Sequence, residues 1–124
     1  MYTDIKTFED ACQVLNLEAA TIIPDLSFFP EEEREAMIAH LKLIIIAKAI
    51  NGDWTPDWTN GEWDKYYPWF KMGSPSGGGF SSDDYVYWLT DSAVGSRLCF
   101  ESREKAKYVG TQFEDLYKTY FVKA

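Results

Sequence analysis

Apolar and polar positions alternate along this chain with two different periods, and the change of period divides it. Phe8, Ala11, Cys12 and Leu15 recur at i, i+3, i+4 and i+7, which predicts a short helix over about 7–16 with one apolar face. Thr7 can cap it, with Asp10 three residues on as a weaker stand-in for the Glu or Gln of a capping box. Pro24 and Asp25 mark the loop that follows.

The second helix is the most strongly marked element. Pro30 suits a first helical position. Glu31, Glu32 and Glu33 suit the positive end of the helix dipole. Asn51-Gly52 supplies a stop. Between them only His40, Lys42 and Lys48 interrupt an apolar run over 36–50. Glu31, Glu35 and Lys42 fall on one narrow polar stripe. A helix apolar around most of its circumference is covered on most sides, so this one is expected at the centre of the core.

The pattern loosens over 53–83, where Pro56, Gly61, Pro68, Gly73, Pro75 and Gly77-Gly78-Gly79 carry loop chemistry. An irregular strand over 62–72 is expected there, with Pro68 requiring an edge or a bulge. The period then becomes two. Residues 85–90 and 96–101 read as strands joined by a five-residue hairpin loop, 91–95. A last helix runs from the N-cap Ser102 to about Tyr120, with Ala106, Val109, Phe113, Leu116, Tyr117 and Tyr120 as its apolar face. The expected class is α+β: one domain, 1–124, with a small antiparallel sheet of two to three strands and about three helices on one face. Its parts are an acidic helical half (1–52), a Trp-rich loop and sheet (53–101) and a C-terminal helix (102–121).

Composition sharpens this picture at two points. The 124 residues suffice for one buried core, and the net charge is −8. Residues 1–62 hold twelve acids against four bases and residues 63–124 eight against eight, so the first half carries the whole excess. Aromatics reach 17%, and all five Trp fall between 54 and 88. These values exclude a disordered tail, a disulfide scaffold and a basic nucleic-acid clamp.

The Trp-rich segment is where function is expected. Trp54, Trp58, Trp63, Tyr66, Tyr67 and Trp69, with Asp83 and Asp84, form the candidate binding set for a partner or ligand. A long loop can bury such rings as its own core. Rigid aromatics also make contact surfaces at small entropy cost, and rings beside carboxylates suit sugars. Nucleic acid is disfavoured, because Lys65 and Lys71 face a surplus of acids in that segment and phosphates would be repelled. Arg97, Arg103, Lys105 and Lys107 form a basic patch, but Glu101, Glu104 and Glu114 lie near it in sequence.

No catalytic constellation is legible. Gly77-Gly78-Gly79 lacks the Lys-Ser/Thr of a phosphate loop, and Ser76, Ser81 and Ser82 carry no nucleophile signature. His40 reads as a satisfied, partly buried core residue. Cys12 and Cys99 read as buried free thiols, and with His40 they are too few for a structural zinc site. No catalytic residue, metal or cofactor is expected. The run 43–47 is too short to span a bilayer and the start lacks signal-peptide character, so a cytoplasmic setting without a membrane is expected.

Thr7-Phe8-Glu9-Asp10-Ala11, Tyr66-Tyr67-Pro68-Trp69-Phe70, Gly95-Ser96-Arg97-Leu98-Cys99-Phe100 and Gln112-Phe113-Glu114-Asp115-Leu116-Tyr117-Lys118 resemble, as a set, a group of short uncharacterised proteins from phages and prophages of gut bacteria. The resemblance implies a phage-encoded protein in a host cytoplasm and supplies no catalytic residues. The favoured function is a non-catalytic accessory protein that binds a host or phage protein through its aromatic, acidic surface. The alternatives are a small-molecule or carbohydrate-binding domain and a self-associating structural phage component, a homo-oligomer.

Overall fold

The computed structural model describes residues 1–54, 65–71, 81–88 and 96–122; within the two strands it describes side chains only at 66–68. Its α-helices are α1 (Phe8–Val14), α2 (Ala19–Ile22), α3 (Glu31–Asn51), α4 (Arg103–Gln112) and α5 (Glu114–Phe121). Single 3-10 turns stand at Tyr2–Asp4 and Ser96–Leu98. The strands are β1 (Lys65–Lys71) and β2 (Ser81–Trp88).

The described chain is mostly helical, which corrects the expected α+β class. Two of its physical causes are visible. The stretch 96–101, whose polar and apolar residues alternate like a strand, instead forms a 3-10 turn followed by a single β-bridge at Phe100. The expected 85–90/96–101 hairpin is therefore absent among the described residues. β2 pairs with β1, antiparallel. The expected last helix is two helices, broken at the buried Phe113, whose φ of −115° and ψ of 30° leave the helical region.

Other local signals hold. Thr7 Oγ1 accepts from the Asp10 N–H at 3.0 Å. Asp10 Oδ2 accepts from the N–H groups of Lys6 and Thr7 at 3.0 and 3.1 Å. The capping box is complete with Asp in place of Glu. Ser102 Oγ accepts from the Lys105 N–H at 3.2 Å and starts α4. α3 begins at Glu31, with Pro30 one position ahead of it as the cap. It ends at Gly52, whose φ of 62° and ψ of −124° favour a residue without a Cβ.

α3 is the axis of the core, as its sequence predicts. Leu43, Ile46, Ala47 and Ile50 are buried against Phe8, Ala11 and Cys12 of α1, Ala106 and Val109 of α4, and Phe113 and Tyr117 farther on. α4 also packs on both strands. Cys12 and Cys99 are buried free thiols, and burial pushes the Cys12 thiol up.

Long-range polar contacts tie the start of the chain to α4. The Tyr108 hydroxyl donates to the carbonyls of Ile5 and Thr3 at 2.7 and 3.1 Å, and Gln112 Nε2 donates to the Lys6 carbonyl at 3.0 Å. The Tyr2 ring meets Tyr108 edge-on, centroids 5.5 Å apart.

The ribbon explains its own proline. Tyr66 and Phe100 exchange both backbone bonds, at 3.1 and 2.7 Å. The N–H and C=O of one strand residue point the same way, so Tyr66 faces Phe100 and forms a non-hydrogen-bonded pair with Tyr87. Pro68, two residues on, would direct an N–H to that same side, away from β2. Its missing donor therefore costs the β1–β2 ladder nothing. The register slips between Trp69 and Phe70, leaving Asp83 as the extra residue of a β-bulge.

Candidate functional site

The expected binding set is spread over the segment after α3. Trp54 follows the end of α3 and is half-buried, its N–H donating to the Asn51 carbonyl at 3.2 Å. Tyr66 and Tyr67 are half-buried on β1. Trp69 and Asp84 are Cα partners across the ribbon, with Asp83 at the bulge beside them, so the backbone brings these positions together. Trp58 and Trp63 lie outside the described residues.

A second aromatic position is far more exposed, and no hydrophobic pattern marks it. Phe28 is 82% exposed. It stands in the loop between α2 and α3, in the run Asp25-Leu26-Ser27-Phe28-Phe29-Pro30. Asp25 Oδ1 accepts from the Ser27 N–H at 2.9 Å and Oδ2 from its hydroxyl at 3.1 Å. Arg34, one turn inside α3, donates through Nε to the Phe29 carbonyl and through Nη2 to the Ser27 carbonyl, both at 2.7 Å. One guanidinium thus grips the backbone on either side of Phe28. The ring is presented on a loop already held in shape. The only local signal was a pair of adjacent Phe in a loop bounded by Pro24 and Pro30, with Arg four residues beyond the second proline.

Acidic residues adjoin this loop. Glu31 and Glu32, at the start of α3, and Glu35, farther along it, are exposed. Between this end of α3 and α5 lies a groove of about 560 Å³, lined on the α5 side by Asp115, Lys118, Tyr120 and Phe121 among others.

His40 sits at the same helix–helix contact. Its ring lies on Tyr120, centroids 4.5 Å apart and planes 31° from parallel. Nδ1 is buried and meets no hydrogen-bond partner among the described residues. His40 is partly buried, as expected, but its Nδ1 is left unsatisfied among these residues. Burial holds its pKa below the ordinary histidine value.

Among the described residues no group of three or more His, Cys, Asp or Glu is placed to hold a metal ion, and no helix is long and apolar enough to cross a membrane. Comparison with known proteins gives no match to a family model, to a curated protein or to a solved structure.

Proposed function

We propose that this chain is a non-catalytic accessory protein that binds a protein partner through an aromatic, acidic surface, in the phage-encoded, host-cytoplasmic setting that its sequence resemblance implies. The observation that carries the binding reading is Phe28, an 82% exposed ring on a loop that Arg34 braces at two carbonyls. Aromatic side chains are enriched in protein interfaces. A loop fixed before binding loses little conformational freedom on association, so more of the contact energy appears as affinity. Exposed Glu31, Glu32 and Glu35 give the surroundings of the anchor a negative field, which steers a positively charged surface toward it and repels polyanions. The half-buried Trp54, Tyr66 and Tyr67 extend the aromatic inventory without matching that exposure.

A photo-reactive phenylalanine analogue placed at 28 tests this in cells of the host type. One protein adduct is expected, absent when the same analogue replaces the exposed Val14 (56%). The captured protein, purified, should bind the chain directly and lose about tenfold or more in affinity on Phe28→Ala. Adducts identical at 28 and 14, or a Phe28→Ala variant that binds unchanged, would overturn the reading.

A further inference from the structure

The groove between α3 and α5 carries an excess of negative charge among its described lining residues. Glu32 and Glu35 stand on the α3 side and Asp115 on the α5 side, all exposed, against Lys118 as the cation among its described lining residues. Ala36, Tyr120 and Phe121 also line it and are half-buried, so the groove has apolar and aromatic surface as well.

The helix dipoles account for only part of this charge. Glu32 and Asp115 lie in the first turns of α3 and α5, where negative charge is favourable. Glu35 lies beyond the first turn of α3, where that effect has faded. Acids on two helices that border one groove repel one another and work against the packed state. A cationic occupant removes that repulsion.

We infer that this groove takes an arginine-bearing amphipathic segment of the partner protein. Guanidinium groups match carboxylates in pairs of parallel hydrogen bonds and lie favourably over aromatic faces such as Tyr120 and Phe121. The apolar side of the segment covers Ala36 and the rings. About 560 Å³ is far more than a lone ion fills, and the charge excludes a phosphate backbone. The inference rests on the protein-binding reading and names the partner's chemistry.

The probe is a synthetic helical peptide of about twelve residues, near 18 Å long, with Arg and Leu on opposite faces. The control is the same composition scrambled to abolish the faces. Amide resonances of the full chain are followed during titration, and affinity is read by fluorescence anisotropy. The amphipathic peptide should shift residues around 35–36 and 115–121 and bind about tenfold tighter than the scrambled one. Glu35→Lys should weaken binding about tenfold while raising the urea midpoint of the free chain, because it relieves repulsion. Glu35→Gln should do both to a smaller degree and serves if the reversal disturbs folding.

Equal binding of the two peptides, shifts confined to another face, or an affinity indifferent to Glu35 would overturn the inference. Phe28→Ala should leave peptide affinity within about twofold. Crosslinking at 28 with no peptide in the groove would sink this inference alone; the reverse result would sink the Phe28 reading and leave the groove standing.

Discussion

The carboxamide of Asn51, at the end of α3, donates to the Cys99 carbonyl at 2.8 Å. The same side chain accepts from the Glu101 N–H at 3.3 Å. One residue therefore holds the backbone on both sides of Phe100, the residue that bridges to Tyr66. Asn51→Ala should cost about 1 kcal/mol, because it removes the two hydrogen bonds that tie the end of α3 to this backbone. Asn51→Asp should cost at least as much, since it sets an acceptor against the Cys99 carbonyl. Urea unfolding checks both; a loss for Asn51→Ala below about 0.5 kcal/mol would assign those backbone groups to water.

His40 makes stability sensitive to acid. Burial lowers its pKa in the folded state below the ordinary value of 6.5. The folded chain then binds fewer protons than the unfolded one, so this contribution is present above pH 6.5 and is lost as pH falls through the folded pKa. His40→Phe keeps a ring against Tyr120 and removes the unpartnered Nδ1. It should be neutral or stabilising by about 1 kcal/mol at pH 7. It should also flatten the decline of the urea midpoint below that pH. A decline of unchanged slope would place the acid sensitivity on other groups.

Tyr117 gives the opposite sensitivity. It is 2% exposed, and burial, with a smaller contribution from Cys99, pushes its pKa far above the ordinary value of 10.0. Tyr108 is raised in the same direction, first by burial and then by Asp10. The folded chain holds protons that the unfolded chain releases, so stability is present below pH 10 and falls as pH rises beyond it. Tyr117→Phe should shallow that fall, as read by thermal unfolding between pH 9 and 11. An unaltered slope would refute the assignment.

The α1 cap should be worth about 1 kcal/mol at Thr7 and more at Asp10. Thr7→Ala removes one acceptor, whereas Asp10→Ala frees the N–H groups of both Lys6 and Thr7. The double variant should be less destabilised than the sum of the two, since the residues serve one reciprocal motif. Strict additivity in chemical denaturation would show that the caps act independently.

Gly52→Ala should cost about 1 kcal/mol or more through the backbone alone. A Cβ there meets nothing within 4 Å, but φ is +62°. Gly52→Asn should cost about as much, since ψ of −124° lies outside the left-handed helical region that Asn tolerates. Unfolding midpoints check both; a midpoint unchanged by Gly52→Ala would deny the conformational origin.

What could be read from sequence and what could not follow from the range of the interactions. α3, the Thr7–Asp10 box and the Ser102 cap are set by residues within a turn of each other, and their signals appear as short spacings. The segment 96–101 has the alternation of a strand. Its conformation, though, accompanies Asn51 and the bridge to Tyr66, both distant in sequence. Gly110 is the conspicuous helix weakener near the end of the chain, yet the break falls at buried Phe113. Phe28 carries no such signal, because exposure belongs to neither spacing nor composition. Its brace by Arg34 depends on the loop turning back over α3.

The pairing of Tyr66 with Phe100 also bears on polymerisation. A bare two-stranded ribbon offers edges that other chains can extend. On the outer edge of β1, the Tyr66 donor is already spent and Pro68 has none. An incoming strand would find two successive outward positions without a hydrogen to give. That edge is thereby protected against runaway strand addition.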